Sequence, residues 1–123
     1  MNIEDFVNFC LSKPGTSEHF PFDEDTLVLK VADKMFAATG LGSWEGGQPT
    51  INLKCDPELA VELRERYQAV MPGYHMNKTH WNTVAVNQDV SDKEIVQMIN
   101  HSYDLIVAKL PKAVREQLQS LNG

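Results

Sequence analysis

The sequence predicts an α+β domain built on a single antiparallel five-stranded sheet with helices packed on it. Apolar residues recur at helical spacing near both ends of the chain and alternate with polar ones in the middle. The strand-like runs 26–31 and 35–39 are joined by Ala32-Asp33-Lys34, far too short for the crossover that parallel neighbours need. At 123 residues the chain suits one domain with one core.

Asn2 is placed to cap a first helix, whose apolar positions Ile3, Phe6, Val7, Cys10 and Leu11 follow helical spacing. Pro14-Gly15 stops it. The polar stretch Thr16 to Asp25 reads as a loop. Thr26–Val31 and Met35–Thr39 then form the best hairpin candidate in the chain. Gly40–Gly47 is a loop by composition. A third strand follows, with Ile51, Leu53 and Cys55 alternating against Thr50, Asn52 and Lys54.

Asp56-Pro57 opens a helix, because Asp caps and Pro suits the first helical position. Leu59, Leu63 and Tyr67 share one of its faces, and Glu62 is spaced to pair with Arg66. Met71-Pro72-Gly73 breaks this pattern. Two extended segments are expected next, at Tyr74–Asn77 and Asn82–Val86, joined through Lys78-Thr79-His80-Trp81. Ser91-x-x-Glu94 is a capping box opening a long helix, whose apolar face runs from Ile95 to Leu110. Pro111 ends it, and Val114, Leu118 and Leu121 mark a short C-terminal helix. The expected order is α-β(3)-α-β(2)-α plus that last helix, in one domain over residues 1–123.

Composition removes several classes of function. Hydrophobic residues make up 42% and charged residues 23% of the chain, which is globular rather than disordered or fibrous. No run approaches the roughly 20 apolar residues of a membrane helix. The start, Met1-Asn2-Ile3-Glu4-Asp5, lacks the basic flank and apolar core of a secretory signal, so a cytoplasmic location and no membrane partner are expected. Cys10 and Cys55 are far apart and sit in apolar patterns, as free core thiols do.

The net charge is −6, and it is unevenly spread. Residues 1–48 carry eight acids against three lysines, whereas residues 49–81 carry four acids and four bases. An acidic total opposes attraction to a phosphate backbone, so any nucleic-acid contact belongs in the neutral middle third.

Few motifs carry chemistry. Gly40-x-Gly42 lacks the third glycine and the following helix of a dinucleotide fingerprint, and Ser43 is not in a G-x-S-x-G elbow. His75 and His80 have no third ligand at a familiar spacing, and His19 and His101 lie elsewhere. Asp23-Glu24-Asp25 matches no calcium loop. Neither cofactor nor metal is expected, and the chain is expected to be a monomer without enzymatic activity.

The densest set of recognition-type residues is Tyr74-His75-Met76-Asn77-Lys78-Thr79-His80-Trp81-Asn82. Such side chains stack on bases and bond base edges or phosphates. The plainer reading, which is preferred, makes Asn77 and Lys78 turn formers with Trp81 anchoring a hairpin onto the long helix.

Four blocks carry a family resemblance: Cys10-x-x-Lys13-Pro14-Gly15, Lys34-Met35-Phe36, Asp56-Pro57-Glu58, and His75-Met-Asn-Lys-x-His-Trp81-Asn-Thr-Val84. Together they resemble the MmcQ/YjbR family from the first helix through Leu110-Pro111, and Asn-Lys-x-His-Trp is the most specific. The resemblance implies an α-β(3)-α-β(2)-α "double wing" fold and a DNA-binding role. It implies no catalytic residue set.

Three readings follow. In the first, DNA is bound through Asn77, Lys78, His80 and Trp81, with Lys54, Arg64 and Arg66 on phosphates. In the second, the acidic N-terminal third or the sheet face docks a protein or small ligand. An enzyme is the third, and its only acid–base candidates are His75, Lys78 and His80.

Overall fold

In the computed structural model, which describes residues 1–121, eleven elements fold around one sheet. They are α1 (Ile3–Leu11), β1 (Thr16–His19), β2 (Thr26–Val31), β3 (Lys34–Gly40), α2 (Leu41–Glu45) and β4 (Thr50–Lys54). Then come α3 (Pro57–Arg66), β5 (Val70–Pro72), β6 (Trp81–Ala85), α4 (Asp92–Ala108) and α5 (Lys112–Leu121).

The sheet has six strands in the order β1-β2-β3-β4-β6-β5, and every neighbouring pair is antiparallel. The expected α+β class and antiparallel pairing therefore hold, but the count of five does not. The extra strand is β1, inside the expected loop 16–25. Its Thr-Ser-Glu-His sequence has no apolar alternation because it is an exposed edge, held by pairing with residues 28–31 of β2.

The expected strand at Tyr74–Asn77 is also displaced. The strand forms earlier, as β5 across the expected break at Met71-Pro72, and the Asp89 carboxylate holds the chain entering it by accepting from the Gln68 and Ala69 amides, each at 2.8 Å. Pro72 is tolerated because β5 is the other edge. Residues 41–45 coil into α2, because Asp25 Oδ1 accepts from the Gly42 amide at its first turn.

The caps at Asn2 and Asp56 form as expected. The Ser91–Glu94 box forms only in part, its return bond to Glu94 Oε1 coming from the Ser91 hydroxyl instead of the backbone amide. Asn2 and Asp5 make a reciprocal capping box, Asp56 accepts from the Leu59 amide, and Ser91 accepts from the Glu94 amide.

The main hydrophobic core lies on one face of the sheet. Leu27, Leu29, Ile51, Leu53 and Val84 point to that face and are buried with Phe6, Phe36, Ile95 and Ile99. On the opposite face, strand register lines up Val28, Ala38, Asn52 and Thr83 in one row. Trp81 shares the parity of Thr83, so it lies away from α4 rather than anchoring the hairpin on it.

Gly15 holds a positive φ of +72°, and a side chain there would run into Leu118 of α5. The fold thus needs a glycine where the sequence shows a helix stop.

Candidate functional site

The residues nominated for nucleic-acid contact separate into two groups. Arg64, Asn77, Lys78 and Trp81 belong to an internal knot. Arg64 Nε donates to Asn82 Oδ1 at 2.7 Å, and its Nη2 donates to the carbonyl oxygens of Lys78 and Trp81. Asn77 Oδ1 accepts from the amides of Thr79 and His80. Lys78 Nζ donates to the Gly73 carbonyl at 3.1 Å. Gly73 lies so close to Trp81 that a Cβ would stand 2.8 Å from the Trp81 Cβ.

The Asn-Lys-x-His-Trp block therefore shapes its own loop and ties it to α3. The His80 ring is half-buried, and its backbone carbonyl accepts from the Cys55 amide at 2.8 Å.

Lys54 and Arg66 form the second group, and they line one cleft. α3 packs on β5 and β6, whereas α4 packs on β2, β3 and β4. The two helices diverge over β4 and β6 and leave a cleft of about 200 Å³ between them. Its apolar wall includes Leu53, Leu59, Leu63, Val84 and Met98.

Among the described residues, neither Lys54 nor Arg66 has a carboxylate within ion-pair distance, so the expected Glu62–Arg66 pair does not form. The Arg66 guanidinium lies instead 5.9 Å from the Tyr67 ring centroid. Burial, followed by the charge of Lys109, holds the Lys54 ammonium below the usual lysine range.

His101 of α4 accepts the Asp56 amide on Nε2 at 3.2 Å, which leaves Nδ1 to carry the ring N–H. Gln97 lines the mouth, and Glu94 has its Oε1 bonded by the Ser91 hydroxyl. Cys55 is buried in the wall, and burial first, then the Asp56 charge, pushes its thiol up to about 11. A thiol so protonated is a poor nucleophile.

A wider hollow of about 480 Å³ lies on the opposite sheet face. Ala38 and Asn52 lie in its floor, and Phe22, Met35, Tyr74 and His75 are among its walls. No lysine, arginine or carboxylate lines it.

The acidic run beside it is partly structural. Asp23 Oδ1 accepts from the Asp25 and Thr26 amides, which holds its carboxyl below the usual range, and Asp25 is tied to Gly42. Among the described residues, no three His, Cys, Asp or Glu side chains gather as a metal set. No helix among them is long and apolar enough to cross a membrane.

Sequence reasoning missed this cleft as a unit. Tyr67, Gln97, His101 and Met98 come from elements far apart in the chain and carry no motif. Only Lys54 and Arg66 stood out beforehand, as candidate phosphate contacts in a neutral third.

Known proteins match the chain over nearly its whole length. The uncharacterised protein YjbR of Escherichia coli strain K12 is 33% identical over 121 residues, covering 98% of this chain and 100% of its own. The uncharacterised protein YyaQ of Bacillus subtilis strain 168 is 27% identical, covering 83% of this chain and 95% of its own. Among solved structures, Deinococcus radiodurans protein DR2400 superposes with a TM-score of 0.87 at 35% identity, over 96% of this chain and 88% of its own. A Pseudomonas syringae protein superposes with a TM-score of 0.72 at 29% identity, over 85% of this chain and 98% of its own. The family model described as YjbR matches residues 11–105, and the chain belongs to the YjbR family.

Proposed function

We propose that this protein is a non-catalytic binding module that takes a small molecule into the cleft between α3 and α4. The observation that carries this reading is the cleft's composition. It has an apolar wall of Leu53, Leu59, Leu63, Val84 and Met98, with Lys54, Arg66, Gln97 and His101 as polar groups around it. Ligand sites combine an apolar lining with a few convergent polar groups in this way. The protonated Cys55 thiol supports binding rather than covalent chemistry.

The nucleic-acid reading keeps less support. Arg64, Asn77 and Lys78 each commit polar atoms to the 73–82 loop. The net charge of −6 opposes the contacts left to Lys54 and Arg66. A docking patch on the acidic third is similarly reduced, because Asp23 and Asp25 bind their own loop.

Titration of small organic fragments, followed by backbone amide shifts, tests the binding reading. Saturable shifts are expected around Val84, Met98 and His101, and they are lost in Gln97→Trp, where an exposed residue becomes a plug at the mouth. Shifts that map elsewhere, or that survive the plug, refute it. Duplex and single-stranded DNA at low salt provide the competing arm. Binding to either that weakens in Lys54→Ala and Arg66→Ala returns the nucleic-acid reading to first place.

A further inference from the structure

We infer that the hollow on the sheet face opposite the core is a second binding site, for a small uncharged planar ring with a hydrogen-bond acceptor on its edge, of the class of aryl or heteroaryl amides. This site is independent of the α3–α4 cleft, which opens on the core side of the sheet.

The floor of the hollow exists because the strands place small side chains there. Ala38 of β3 lies beside Asn52 of β4, and Asn52 lies beside Thr83 of β6. The walls come from two connections. The one between β1 and β2 supplies Phe22, and the one between β5 and β6 supplies Tyr74, His75 and Met76. The enclosed volume of about 480 Å³ falls within the roughly 300–1,000 Å³ typical of small-molecule sites.

The walls suit a flat ring. Phe22 is 72% exposed and Tyr74 69% exposed, so both offer ring surface to an incoming molecule. The His75 ring lies against Tyr74 with centroids 4.0 Å apart, and Met35 and Met76 also line the hollow. Aromatic rings pair with rings, and thioethers make favourable contacts with them.

The lining also sets the charge. Charged residues make up 23% of the chain, yet no lysine, arginine or carboxylate lines the hollow. A charged ligand would lose water there without gaining a partner. Asp25 stands at one end, where its Oδ2 is 3.2 Å from the place of a Cβ on Gly40, while its Oδ1 accepts from the Gly42 amide. That end opposes an anion, including the phosphates of a nucleic acid.

One donor in the floor has no partner. The Thr83 hydroxyl accepts from the Tyr74 amide at 2.9 Å and gives its own hydrogen to Asn52 Oδ1 at 2.5 Å. This chain fixes which way the Asn52 amide faces. Its Nδ2 makes no hydrogen bond among the described residues, and Asn52 is half-buried in the floor. A ring carrying a carbonyl on its edge supplies the missing acceptor.

The test is an amide-shift titration with benzamide, benzoate, benzylammonium and cyclohexanecarboxamide. Benzamide is expected to bind most tightly and to move Asn52, Thr83 and Tyr74 but not Met98 or His101. The other three are expected to bind about tenfold more weakly. Asn52→Asp keeps the oxygen that Thr83 bonds and replaces the free donor with a negative charge. It is expected to weaken benzamide about tenfold and to strengthen benzylammonium. Phe22→Ala and Tyr74→Ala, both at exposed positions, are expected to weaken benzamide about threefold each.

Benzoate or benzylammonium binding as tightly as benzamide overturns the uncharged class. Cyclohexanecarboxamide binding equally well overturns the planar ring. Unchanged benzamide affinity in Asn52→Asp overturns the role of the donor. A short oligothymidylate that moves the same amides at lower concentration than benzamide overturns the small-molecule class in favour of a nucleic acid. Shifts confined to Met98 and His101 overturn this site and support the α3–α4 cleft, whereas no shift from any probe overturns this site alone.

Discussion

Arg64 Nε donates to the Oδ1 of Asn82 at 2.7 Å, joining the third turn of α3 to the second residue of β6. Asn82 is 2% exposed, and its amide nitrogen reaches the Ala60 carbonyl at 3.4 Å. The same guanidinium binds the Lys78 and Trp81 carbonyls, so one side chain closes the whole 78–82 segment onto the helix. A planar fork serves three acceptors that a single ammonium cannot reach together. Arg64→Lys is therefore expected to lower unfolding stability by about 2 kcal/mol, the scale of hydrogen bonds to a charged group. Arg66→Lys, on the exposed side of the same helix, changes it by less than about 0.5 kcal/mol. Urea midpoints of the two variants decide the matter, and equal losses would remove the structural role assigned to Arg64.

Ser102 of α4 performs a splice inside the sheet. Paired residues between β3 and β4 end at Ala37 and Leu53. One step further, the Ser102 hydroxyl donates to the Phe36 carbonyl at 2.5 Å and accepts the Lys54 amide at 3.0 Å. It stands where the next ladder bond would lie, and it sets the height of α4 over the strand that lines the cleft. Ser102 is fully buried, so removing the hydroxyl leaves two backbone groups without partners. Ser102→Ala is expected to cost about 1–3 kcal/mol. Amide exchange at Lys54 accelerates in parallel. A neutral substitution would show that water takes over both bonds.

How much of this was legible beforehand follows from where each signal resides. The caps at Asn2, Asp56 and Ser91 act within one turn of their own residue, so the helices could be placed from local sequence. β4 shows alternation because one of its faces is buried. β1 and β5 lack it because they are edges, defined by partners distant in sequence. The Asn77–Trp81 block was visible as unusual chemistry, but its role depends on Arg64, whose reach across to β6 no spacing rule reports. For the same reason the cleft was invisible: it exists because α3 and α4 pack on different strands.

The β2–β3 hairpin contains a local strain that can be relieved. Val31 pairs with Lys34, and the two residues between them both have positive φ, +47° at Ala32 and +70° at Asp33. That is the pattern of a type I′ turn, which favours Asn or Gly. Alanine in this region pays about 1–2 kcal/mol for the approach of its Cβ to the following carbonyl. Asparagine adopts it more readily without the chain entropy of glycine. Ala32→Asn is expected to stabilise the protein by about 0.5–1 kcal/mol. A lower urea midpoint would mean that the half-buried Ala32 side chain packs on the core more tightly than this allows.

Alkaline pH provides a readout of the two buried thiols. Burial pushes Cys10 up from 9.0 to about 12, opposed by the nearby charge of Lys13. Burial, reinforced by the Asp56 charge, pushes Cys55 up from 9.0 to about 11. Each folded thiol therefore keeps its proton at a pH where the unfolded thiol has released it. The folded state binds more protons across that window, so the contribution is intact below about pH 9 and declines as pH rises toward 11. Tyr103 acts in the same direction: burial raises its phenol, whose hydroxyl donates to the Pro14 carbonyl at 2.6 Å. Unfolding stability is expected to fall between pH 9 and pH 11 more shallowly in Cys55→Ala than in the parent, even though the variant starts lower. Iodoacetamide at pH 8 is expected to modify Cys55 only as fast as the cleft wall opens, with protection lost in urea. Fast modification in the native protein would mean that the thiol reaches solvent as an anion, and the non-catalytic reading of the cleft would lose its chemical support.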